Sequence, residues 1–137
     1  MTGQKREGGP QSWYELRDLL EAGDFAKASE VLTREPSLRD ARNGLGETVL
    51  HFFAVENNLA AIEWLHARGF DLNARNEFGN PWLFEVALLG YRDLFIWLIE
   101  HGADAKQKTR EGEGLEEFLR EAGEDEMLAF VKKHLSQ

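Results

Sequence analysis

The chain has 137 residues, 42% apolar and 30% charged, a balance that suits one compact domain with its own core and leaves little room for a second. Its 25 acidic and 16 basic residues give a formal charge of −9, which opposes docking on nucleic-acid phosphates and favours a basic protein partner. Cysteine is absent, so disulfide frameworks, thiolate zinc sites and thiol nucleophiles are excluded.

In chain order, Met1 to Pro10 lack the apolar stretch of a secretory leader, and no apolar run of membrane-spanning length follows. A soluble, cytoplasmic, monomeric chain is expected, with no membrane partner. Residues 1–12 read as a disordered tail and 13–137 as one domain. Within 13–42, Leu16, Leu19 and Leu20 have helical spacing, Gly23-Asp24 breaks the pattern, and Ala28, Val31 and Leu32 resume it until Pro36. The segment 43–75 repeats this plan with Leu50, Phe53 and Ala54, a break at Asn57-Asn58, then Ile62 and Leu65 before Gly69. The segment 76–108 breaks at Gly90-Tyr91 and ends its second helix at Gly102. In 109–135, Leu115, Phe118, Leu119 and Ala122 precede Gly123, and Met127, Leu128, Phe130 and Val131 follow. Glu116 and Arg120 stand there in columns that are apolar in the middle segments, which predicts a one-residue slip of that helix.

The segments are true repeats. Asp40-Ala41-Arg42-Asn43-Gly44-Leu45-Gly46-Glu47 recurs as Asn73-Ala74-Arg75-Asn76-Glu77-Phe78-Gly79-Asn80, a step of 33 from position 40 to 73. The same step aligns Ile62 with Phe95 and Leu128, Trp64 with Trp97 and Phe130, and Leu65 with Leu98 and Val131. A fixed period of this length signals a stack of helical repeats in which each unit buries its neighbour's face.

Gly46-Glu47-Thr48-Val49-Leu50-His51-Phe52-Phe53-Ala54, followed by Leu65, Gly69, Asp71 and Asn73-Ala74, resembles the ankyrin pattern Gly-x-Thr-Pro-Leu-His-x-Ala-Ala. The resemblance implies an all-α ankyrin-repeat solenoid of stacked helix-turn-helix pairs with projecting turns. Its full repeats are 43–75 and 76–108, with 13–42 and 109–135 as degenerate caps. The second repeat departs from the pattern, because Pro81 and Phe84 replace the Thr and His that hydrogen-bond the turn. Proline's fixed φ suits the first helical turn and can compensate.

Candidates for chemistry are few. His51 reads as the hydrogen-bond partner of Thr48, while His66, His101 and His134 read as surface residues with no metal-ligand spacing. The glycines near Gly112 have acidic neighbours and lack the Lys-Ser/Thr of a phosphate loop. The acidic stretch Glu111 to Glu126 reads as a solvated cap face or a docking patch for a basic partner, and it lacks calcium-loop spacing. Asn73 resembles the target of an asparagine hydroxylase but also suits a structural turn residue. No cofactor and no enzymatic activity are expected, a carboxylate-based hydrolase being the remote alternative.

In the ankyrin family, partners dock on the turn tips and on the concave face of the first helices. Carried over by column, the partner-binding candidates are Leu45 and Glu47 with Val55 and Glu56 in one repeat. In the next they are Glu77, Phe78 and Asn80 with Trp82, Leu88 and Leu89. Leu45 and Phe78 either project as apolar tips or fold back beneath the adjacent helix, and Trp82 either anchors a partner or packs inside. Two consecutive leucines cannot both face the interior, so Leu88 or Leu89 is expected at the surface. The expected function is a protein-binding module, or alternatively a small acidic inhibitor that neutralises a basic enzyme or toxin.

Overall fold

A computed structural model describes residues 9–136. Most of the expected tail, 1–8, lies outside the described residues. The chain divides into two compact units between Asp71 and Leu72, where the sequence suggests one domain. Each unit is a stack of two helix-turn-helix pairs that buries apolar faces of its own.

The first unit contains α1 (Gln11–Glu21), α2 (Phe25–Arg34), a short 3-10 turn at Pro36–Arg39, α3 (Val49–Val55) and α4 (Leu59–Ala67). The helix α1 packs on α2 and α3, and α3 on α4. It begins two residues earlier than expected because Pro10, extended at φ −71°, places its carbonyl to accept from the Trp13 amide at 3.0 Å. Trp13 is fully buried, and its indole N–H donates to the Glu47 carbonyl at 3.1 Å. Tyr14 and Phe52 meet its ring edge-on, and the Arg17 guanidinium lies over all three rings.

The second unit contains α5 (Trp82–Leu88), α6 (Arg92–Glu100), α7 (Leu115–Glu121) and α8 (Asp125–Leu135). Here α5 packs on α6 and α7, and α7 on α8. Phe84 and Phe95 are fully buried and lie against Phe118 and Phe130. The expected slip of α7 does not occur. Val49, Trp82 and Leu115 begin α3, α5 and α7 in a common register, and Glu116 and Arg120 are simply exposed on the α7 face.

One device ends the first helix of every pair. Gly23, Asn57, Gly90 and Gly123 take positive φ, and the following amide reaches back to a carbonyl five residues earlier, as from Asn58 to Phe53 at 2.9 Å. Asn57 at φ 57° is the one described non-glycine in this region, which asparagine tolerates better than most residues. Each unit is thus all-α, built of helix-turn-helix pairs with projecting turns. Among the described residues, no helix is long and apolar enough to cross a membrane.

Candidate functional site

The projecting turns are built by one side chain each. In the first unit, Asn43 Oδ1 accepts from the amides of Leu45 and Glu47 at 2.9 and 3.0 Å, while its own amide donates to the Glu47 carbonyl. In the second unit, Asn76 repeats the set with Phe78 and Asn80 at 2.9 and 3.0 Å. Thr109 uses its hydroxyl in the same way toward Glu113 at 3.1 Å. Gly46 and Gly79, at φ 77° and 80°, let these turns close, and Arg42 and Arg75 donate to their carbonyls at 2.6 Å. These bonds satisfy the turn backbone from within.

The tips are apolar. Leu45 and Phe78 are each 65% exposed, so neither folds back beneath a helix. The third turn places Glu111 in this column, also exposed. Val55 and Leu89 are exposed at the ends of α3 and α5, and Leu88 is half-buried. Glu56 and Glu77 lie at the surface.

Other candidates build the turns. Glu47 is half-buried, and its carboxylate accepts from the Asn43 side chain at 3.0 Å. Asn80 is half-buried, its amide held by Asn76 and its Oδ1 enclosed without a hydrogen-bond partner. Trp82 is 3% exposed, so as it stands the ring belongs to the core and offers no surface to a partner. Val49 and Leu115 share its column and are equally buried, a signal that identifies this position as interior.

The Thr48–His51 pair starts α3. Thr48 Oγ1 accepts from the His51 amide at 3.2 Å, and His51 Nδ1 accepts from the Thr48 amide at 3.0 Å. This buried reciprocal cap fixes the imidazole with Nδ1 unprotonated, a structural role. His101, in contrast, is exposed and stacks on Trp97 with ring centroids 3.9 Å apart. Asn73 is a structural staple. Its Oδ1 accepts from the Asp104 amide at 2.9 Å and from Gln107 at 3.1 Å, and its Nδ2 donates to the Gly102 carbonyl at 3.2 Å.

Two carboxyl groups near the second unit's turns are shifted upward. Burial pushes Glu85 above its ordinary value, partly offset by the hydrogen bond that Asn76 donates to it at 3.1 Å. A hydrogen bond shared with Glu121 raises Glu113 to about 6, with desolvation and the charges of Glu121, Glu117 and Glu111 adding to it.

The turn-building Asn43 and Asn76 and the carbonyl-binding Arg42 and Arg75 carry no site role from the sequence, although their recurrence in the period marks them. Helix pairs with self-bonded glycine turns, and a Thr/His cap at the start of α3, are the marks of a helical repeat. Residues 50–99, from α3 through nearly all of α6, match the family model described as ankyrin repeats (many copies). No curated protein matches the chain. Ankyrin repeats generally mediate protein–protein interactions, and the family is typically non-enzymatic.

Proposed function

We propose that the chain is a non-enzymatic protein-binding module that docks its partner on the apolar turn tips. Leu45 does so in the first unit and Phe78 in the second, with Val55 and Leu89 extending the respective first-helix surfaces. The observation that carries this reading is the 65% exposure of both tip side chains on turns whose backbone is internally hydrogen-bonded. A large apolar side chain presented to water on a hydrogen-bonded turn is the kind of anchor that dominates interface energies. Glu56 and Glu77 nearby in the chain, and the charge of −9, favour a basic partner surface.

The test is capture on immobilised full-length protein, with wild type beside Leu45→Ala and Phe78→Ala, followed by titration of the captured protein. Phe78→Ala is expected to weaken binding by about 2 kcal/mol, roughly thirty-fold, and raised salt should slow association. Equal retention of the same proteins by all three variants would sink the assignment of the tips.

A further inference from the structure

The two carbonyls that flank Phe78 both face arginines, one at close and one at long hydrogen-bond distance. After the tip, the Gly79 carbonyl accepts from Arg75 Nη1 at 2.6 Å, and the same nitrogen donates at 2.6 Å to the Lys108 carbonyl, at the start of the next turn. Before the tip, the Glu77 carbonyl faces Arg110 Nη2 at 3.5 Å, so a side chain of the next turn reaches back. The contacts run in opposite directions between the segments 75–79 and 108–110.

Gly79 shows how closely the second arginine sits. A Cβ at that position would stand 2.8 Å from Arg110 Nε, 3.0 Å from Nη2 and 3.2 Å from Cζ. A side chain at this position would displace the exposed Arg110 guanidinium from its place, in addition to the strain of φ +80°. Gly112, the equivalent glycine of the next turn, has φ +87° and nothing within 4 Å of such a Cβ. Conformation favours a glycine at both 79 and 112, and only at 79 would a side chain also displace an arginine from the next turn.

We infer that Arg75 and Arg110 form a reciprocal clasp that holds the Phe78 turn in its presented shape, with Arg110 acting as a positioning residue for the tip. This rests on the reading that Phe78 meets a partner, since the benefit of the clasp is a lower ordering cost on docking. A planar guanidinium suits the task because one rigid fork can face a carbonyl edge while its face covers Gly79.

The experiment uses the free full-length chain, so its outcome is independent of whether a partner docks on Phe78. Amide hydrogen exchange is measured in wild type and Arg110→Ala. The variant should speed exchange at the Phe78, Gly79 and Asn80 amides by roughly ten-fold, with α6 and α8 unchanged. A double-mutant cycle supplies the second readout. Gly79→Ala should lower Tm by about 1–2 °C more than Gly112→Ala, and that excess should vanish in the Arg110→Ala background. Unchanged exchange at 78–80, uniform acceleration through the whole unit, or an excess that persists without Arg110 would overturn the clasp.

Discussion

The first turns of α3 and α5 occupy equivalent positions in successive repeats and reach similar backbone geometry by opposite chemistry. Thr48, extended at φ −76° and ψ 167°, caps α3 through the two-way bond with His51, and both side chains are buried. Pro81, extended at φ −63° and ψ 129°, caps α5 with no side-chain bond at all. In the His51 column stands Phe84, fully buried and 5.5 Å from the Phe118 ring. Proline thus sits at the N-cap rather than inside the first turn, where its ring still restricts the torsion that leads into the helix. The pair shows that a buried polar cap can be exchanged for apolar packing when both partners change together, because neither polar group is left without a bond.

This contrast can be broken from either side. The largest effect is expected from Phe84→Ala, which opens a cavity in the second unit and should cost about 3–5 kcal/mol in urea unfolding. His51→Ala should cost less, about 1–3 kcal/mol, chiefly because the buried Thr48 amide loses its acceptor. If His51→Ala equalled Phe84→Ala, the imidazole would be acting mainly as packing, and the distinction between the polar and the apolar helix start would fail.

The parts of the fold that were legible in the sequence are those that demand particular residue types. The 33-residue step, the breaks at Gly23, Asn57, Gly90 and Gly123, and the Thr48–His51 cap all follow from positive φ or from a side-chain hydrogen bond. The register of α7 was not legible from the charges at Glu116 and Arg120, since an exposed face accepts charge without moving the helix. Trp82 was ambiguous as a single large ring at a turn, and its column with Val49 and Leu115 is what places it inside. Whether Leu45 and Phe78 project depends on the turn hydrogen bonds made by Asn43 and Asn76, which decide direction without altering hydrophobic spacing. The arginine clasp was least legible, because its acceptors are backbone carbonyls, which every residue carries.

The smallest predicted effect sharpens the comparison through pH. Both turn asparagines donate to a glutamate, Asn43 to Glu47 within the turn and Asn76 to Glu85 in α5. Burial raises the Glu85 carboxyl, and the bond shared with Glu121 raises Glu113 to about 6 from the ordinary 4.5. For an acid raised in the folded state, the native chain holds more protons than the unfolded chain between the two values. Glu113 therefore adds stability as pH falls from about 6 toward 4.5 and withdraws it as pH rises through that window, and Glu85 acts in the same direction. Glu85→Gln keeps an oxygen to accept from Asn76 and removes the charge that burial disfavours. It should raise Tm at pH 7, with the gain shrinking as pH approaches 4.5. Glu113→Gln should likewise flatten the decline above pH 4.5, because the neutral amide can still donate to Glu121. A Tm that is the same at pH 5 and pH 7 in wild type and both variants would mean that neither carboxyl is held by the fold, and the polar arm of the second turn would then be no more constrained than water makes it.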